Sequence, residues 1–160
     1  MAHVRNPLNN KYTVRATWDI TSSGTLATNA AYSPIEGDVT IPEGAIITDA
    51  YYIVPVAFTD ENDESTTLAL GTSAAAGAFV AAVAMTDAAW TTTVDAKRGI
   101  VGQFAGTDAA MTAIAAGILE AASYRVTTAN EVLKLTVADD EACTAGKLVL
   151  FVEYVLTGII

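Results

Sequence analysis

The side chains best able to do chemistry in this chain are His3, Cys143 and the acids, and their types and spacing assemble no reaction centre. A nucleophile needs a base within hydrogen-bond reach, and the base needs an orienting group. His3 is the only imidazole and Cys143 the only thiol, so a Ser–His or Cys–His pair would require the residues around His3 to fold into a site. Gly71-Thr72-Ser73-Ala74-Ala75 fails the Gly-x-Ser-x-Gly pattern at its last position, and Gly99, Gly102 and Gly106 lack the spacing of a phosphate-cradling loop. Asp60, Glu61, Asp63 and Glu64 could offer oxygens to calcium, but the glycine and distal Glu of an EF-hand are missing. They read instead as a solvated hairpin loop that keeps an apolar sheet from pairing with others, as do Asp139, Asp140 and Glu141. With 18 acids, carboxylate pairs suited to glycoside hydrolysis arise by chance and carry no signal. A single cysteine excludes an intrachain disulfide and a thiolate metal cage, and leaves Cys143 as a quiet, partly buried thiol. The expectation is therefore no catalytic residue, no cofactor and no metal site.

Composition narrows the partners. Eight basic residues against 18 acidic ones give a net charge of −10, which opposes the counterion displacement that nucleic-acid binding relies on. The apolar run from Ala74 to Met85 is shorter than the roughly 20 residues a bilayer demands. Glu153 interrupts the run from Leu148 to Ile160, and no secretory signal is visible. Charged residues make up 16% of the chain while apolar ones reach 52%, many of them small alanines. Such a chain buries extra surface against neighbours, which favours an oligomer or assembly subunit. Arg5, Lys11 and Arg15 precede the first acid, Asp19, and give a mildly cationic start to an acidic body. They are candidate partner contacts, although an ordinary solvated terminus explains them as well.

The elements that must position these groups read as strands. Tyr12, Val14, Ala16, Trp18 and Ile20 alternate with Thr13, Arg15, Thr17 and Asp19, the period of a half-buried strand. Thr21 to Gly37 reads as a loop. Val39 and Ile41 share a face of a short strand, and Pro42-Glu43-Gly44 suits a type I turn with Pro second and Gly fourth. Ala45 to Phe58 follows, with Ile46, Tyr52, Val54, Val56 and Phe58 on one side and Asp49, Tyr51 and Pro55 on the other. Pro55 belongs at a bulge or an edge, because it cannot donate to a ladder. Thr66 to Leu70 is a strand with Leu68 and Leu70 inward, Ala74 to Ala89 is either helix or loop plus strand, and Trp90 to Val94 is a strand. Asp108 to Ala122 is the best helix candidate, with Met111, Ile114 and Ile118 at helical spacing. Tyr124 to Thr128 and Glu131 to Val137 are strands. After a turn at Ala145-Gly146, Lys147 to Leu156 is apolar on both faces. Leu148, Leu150, Val152 and Tyr154 take one face, Val149, Phe151 and Val155 the other. Such a strand is central, with its outer face covered by the fold or by a neighbouring subunit.

The fold expectation is thus an all-β antiparallel sandwich with at most one short helix: an N-terminal arm over residues 1–11 and one β-sandwich domain over 12–160. Trp18 goes to the core by its phase, whereas Tyr51 is out of phase with Tyr52, Val54 and Val56 and is a candidate exposed contact together with Val149 and Phe151.

Three stretches resemble a known family: VTIPEGAIITDAYYIVPVAFT, TTLALGT, and VLKLTVADDEACTAGKLVLFVEYV. In order, and over most of Val39 to Val155, they resemble the capsid decoration, or cement, proteins of tailed bacteriophages. The Ile-Pro-x-Gly-Ala turn and the Thr-Ala-Gly-Lys-Leu close carry most of the likeness, while Asp139-Asp140-Glu141 departs from it. The resemblance implies a jelly-roll-like sandwich that folds in the host cytoplasm, binds the major capsid protein on the outside of the virion shell and stabilises that shell. It implies a homo-oligomer, a trimer, and no catalytic residues. The alternative is a carbohydrate- or receptor-binding module of a phage tail or fibre, which would need exposed aromatics converging with polar groups on a pocket.

Overall fold

The computed structural model describes residues 11–23, 30–60, 66–91, 97–99, 125–138 and 142–156. Along the chain run β1 (Lys11–Asp19), α1 (Ile20–Ser23), β2 (Ala30–Tyr32), β3 (Thr40–Ile41), β4 (Ala45–Asp60) and β5 (Thr67–Thr72). They are followed by β6 (Val80–Ala84), α2 (Ala88–Thr91), β7 (Lys97–Gly99), β8 (Arg125–Val126), β9 (Glu131–Ala138) and β10 (Cys143–Leu156). The first sheet has the order β1-β10-β4-β7, with β8 also on β4; the second has the order β2-β9-β5-β6, with β3 also on β9. Every pairing is antiparallel.

Because β10 lies between β1 and β4 while β9 lies between β2 and β5, the last two strands enter the middle of sheets begun by the first ones. This is the jelly-roll-like arrangement of an antiparallel sandwich. Helical structure among the described residues amounts to the two four-residue turns α1 and α2.

The inner faces meet in one core. Ala16 and Trp18 of β1, Tyr52 and Val54 of β4 and Leu148, Leu150 and Val152 of β10 face Leu68 and Leu70 of β5 and Leu133, Leu135 and Val137 of β9. β1 pairs with β10 from Lys11–Val155 to Asp19–Lys147 without a break, so the phase of its residues holds, although Tyr12, on the side expected to be inward, is 43% exposed near the start of the strand. Trp18 is buried, and its indole N–H donates to the Tyr32 carbonyl at 2.9 Å, tying the first sheet to β2 of the second. Thr17 and Asp19, on the face expected to be wet, are also buried; Asp19 accepts an ion pair from Lys147 at 2.8 Å.

β4 departs most from its expected phase. Asp49 and Ile47 pair with the adjacent residues Glu153 and Tyr154, which leaves Thr48 as an extra residue. Ile53 and Val56 pair with Val149 and Lys147, so a second extra residue falls at Val54-Pro55, where the proline was expected to interrupt the ladder. Each extra residue on β4 reverses the side that faces the core, and a third one between Val56 and Thr59, which pair with Lys147 and Ala145, returns Phe58 to the side of Val54. Ala45, Ile47, Ala50, Tyr52, Val54 and Phe58 are consequently buried, Ile46 is only half-buried, and Val56 is 40% exposed rather than inward.

Four further expectations are corrected. Ala45 N–H donates to the Pro42 carbonyl, so Gly44 is third in the turn, and its φ of 76° fits a type II rather than a type I geometry. Trp90 and Thr91 lie in α2, not in a strand: the Asp87 carboxylate caps the turn by accepting from Ala89 N–H at 2.7 Å, and Trp90 fills the space between Tyr52 and Phe58. The stretch read as a loop from Thr21 to Gly37 contains the end of α1 and all of β2. Ala145-Gly146 is no turn but part of β10, where Gly146 takes a φ of 143° beneath the Phe58 ring. At the remaining sites, Ala74 to Ala89 resolves into turns, β6 and the start of α2, while β8 covers only Arg125–Val126 of the expected Tyr124–Thr128 strand. The helix expected at 108–122, the acidic stretches 61–64 and 139–141, and nearly all of the arm expected at 1–11 lie outside the described residues; β1 begins at Lys11.

Candidate functional site: the outer face of the first sheet

Period two places Thr13, Arg15 and Thr17 of β1 on the side of the first sheet away from the core. The register adds Val149, Phe151, Glu153 and Val155 of β10 and Asp49, Tyr51 and Ile53 of β4. Arg15 is opposite Phe151, and Phe151 is opposite Tyr51, so a cation and two aromatics form one row across three strands. The Tyr51 and Phe151 rings stack with centroids 4.8 Å apart and planes 12° from parallel. Both are half-buried, while Val149, expected to face outward, does so but is only 5% exposed beneath its neighbours.

Charge frames this apolar strip. Lys11 pairs with Glu153, and Arg15 lies 3.9 Å from Glu36. Glu36 also accepts the main-chain N–H of Thr17 at 3.1 Å. Partial burial alone would raise the pKa of its carboxyl. Hydrogen bonds from its own backbone and from Thr17, with the charge of Arg15, outweigh that and hold it below the usual carboxylate range.

Of the expected contact residues the structure therefore brings Lys11, Arg15, Tyr51, Val149 and Phe151 onto one face, and Arg5 lies outside the described residues. Sequence reasoning missed Ile53, Glu36 and Glu153 as parts of this surface. For Ile53 and Glu153 the signal was available in phase with Tyr51 and Phe151; for Glu36 there was none, because its contact depends on how the connection after β2 folds back.

Elsewhere, groups with chemical potential are put to structural use. Cys143 is fully buried, and burial pushes its thiol up to about 12. The buried Glu131 carboxylate accepts from the Thr72 hydroxyl at 2.6 Å. A pocket of about 350 Å³ is lined by Phe58, Asp60, Met85 and Thr91 among others, and offers one carboxylate in a largely apolar wall. Among the described residues no three His, Cys, Asp or Glu side chains cluster to hold a metal, and no helix is long and apolar enough to cross a membrane.

No protein-family model matches the chain. No curated protein sequence matches it either. Solved structures do match. One is a chain in the acidic stable capsid structure of Helicobacter pylori bacteriophage KHP30, 18% identical with a TM-score of 0.52, covering 94% of this chain and 90% of that one. Another is a chain of the cyanophage Pam1 capsid asymmetric unit, 19% identical with a TM-score of 0.57, covering 92% of this chain and 85% of that one. The fold is thus one that chains of phage capsid structures adopt, the class to which the sequence resemblance pointed.

Proposed function

We propose that this chain is a structural protein of a phage virion that binds the outside of the capsid shell and stabilises it, as a decoration or cement protein. The observation that carries the reading is the match in fold, over more than nine-tenths of this chain, to chains found in two phage capsid structures. The outer face of the first sheet supports it: an apolar strip of Phe151, Tyr51 and Ile53 over the buried Val149, rimmed by ion pairs, is the chemistry of a protein–protein contact. The major capsid protein is the partner, and the chain acts as a homo-oligomer, a trimer, the number following from the family resemblance. Residues 1–11 serve as an arm whose Arg5, with Lys11 and Arg15, adds an electrostatic contact to the shell, and residues 12–160 are the sandwich that docks. In this reading the protein folds in the host cytoplasm, resides on the virion surface and catalyses nothing.

Purified protein added to heads that lack it tests this. Saturable co-sedimentation at a fixed copy number per head, with greater resistance of the heads to heat, is the expected result. A monomer that fails to bind heads would overturn the proposal. A trimer that ignores heads but binds host-surface glycans would move the assignment to a tail or fibre module.

A further inference from the structure

The edges of the two sheets are protected unequally. β6, at one margin of the second sheet, is five residues long and bulged: Leu68 and Leu70 pair with Val83 and Val80. β1, at the margin of the first sheet, is nine residues long, regular, and paired on its far side by no strand among the described residues. A long, regular edge of this kind invites strand addition by another chain.

Residues 33–38, which leave β2, close part of that edge. The Ile35 N–H donates to the Thr17 carbonyl at 2.7 Å, and the Thr17 N–H donates to Glu36 Oε2 at 3.1 Å. Both main-chain groups that Thr17 would offer to a new strand are therefore taken, one by a backbone amide and one by a carboxylate standing in for a strand carbonyl. The segment is held from its other end as well. Ser33 Oγ donates to Asp38 at 2.5 Å, and Lys134 of β9 donates to Ser33 at 2.7 Å and lies 3.8 Å from Asp38. Period two directs the main-chain groups of Thr13 and Arg15 to the same side as those of Thr17. There, a second copy pairing antiparallel about Thr13 would set Lys11 opposite Arg15, a match of like charges that Glu153 beside Lys11 and Glu36 beside Arg15 offset only in part.

We propose that Glu36 and Ile35 form an edge guard which, together with the Lys11–Arg15 charge pattern, prevents β1 from pairing with β1 of a second copy. The guard steers association away from the edge of the sheet. It stands on this geometry alone, so its failure leaves the capsid reading untouched.

Cross-linking and amide exchange test it in the full chain. Thr13→Cys is introduced into the wild type, into Lys11→Gln and into Lys11→Gln/Glu36→Ala; the native thiol, Cys143, is buried. In the double background the Thr17 amide should exchange about tenfold faster or more, with the amides of β10 unchanged. Oxidation should give disulfide-linked dimers there, fewer in Lys11→Gln and none in the wild type. Glu36→Gln, which keeps an acceptor, should restore slow exchange. Ile35→Pro, which removes the other bond, should open the edge independently should Glu36→Ala not fold. Unchanged Thr17 exchange would overturn the guard; fast exchange without dimers, or dimers of equal yield in the wild type, would overturn the proposed role.

Discussion

Gly146 of β10 lies directly under the ring of Phe58 of β4: a Cβ at Gly146 would stand 2.4 Å from Phe58 Cδ1. Its φ of 143° is also one that L side chains rarely adopt. Gly146→Ala should therefore displace Phe58 from its edge-on contact with Trp90 and destabilise the fold by about 1–3 kcal/mol. Thermal unfolding followed by tryptophan fluorescence measures this. An unchanged midpoint would mean that the ring yields freely.

Thr72→Val removes the hydroxyl that donates to the buried Glu131 carboxylate, as well as the acceptor of the Ala74 and Ala75 N–H groups. The side chain keeps its shape and loses its bonds, so the loss should be about 1–3 kcal/mol in a denaturant titration.

The thiol of Cys143 should not react with a thiol-selective reagent in the native protein at about pH 8, and should react once the chain is unfolded. Burial raises its pKa from the unfolded value, roughly 8.5, to about 12. A group raised in this way contributes stability that is complete below the unfolded value and is lost as pH climbs towards the folded one. Tyr52 is shifted in the same direction, by burial first and by the charge of Asp87 second. Stability should accordingly be level near neutrality and fall between about pH 8.5 and 12, as melts across that window would record.

Phe151→Ala and Tyr51→Ala separate folding from assembly. Each removes one partner of a half-buried stack on the outer face and should cost about 1–2 kcal/mol of stability. If the face docks on a shell, binding to heads should weaken by about tenfold or more. Equal head binding by the folded variants would place the contact elsewhere.

How far the sequence could be read depended on how regularly its strands are built. β1 and β9 alternate without interruption, and their inward residues, Ala16 and Trp18 or Leu133 and Leu135, were legible from period two alone. β4 was legible as a strand but not in its phase, because the bulges at Thr48 and at Val54-Pro55 are set by the pairing with β10. Trp90 lies in a β-favouring run, yet the Asp87 cap and the space between Tyr52 and Phe58 hold it in a helical turn, an outcome that only tertiary packing decides. Ala30-Ala31-Tyr32 has no alternation to detect, so β2 was invisible. Tyr51 and Phe151 could each be assigned to an outer side from their phase; that they touch required the register of two strands far apart in the chain.

β7 and β8 meet the same margin of β4 end to end. Gly99 is opposite Ala50 and Arg125 is opposite Ile47, so only Thr48 and Asp49 separate the two contact points. They are two halves of one interrupted strand, and residues 100–124 are spliced into it at a point that a dipeptide could span. The first sheet thus gains a single edge strand from two separate stretches of chain, which ties Lys97–Gly99 and Arg125–Val126 to one common neighbour, β4.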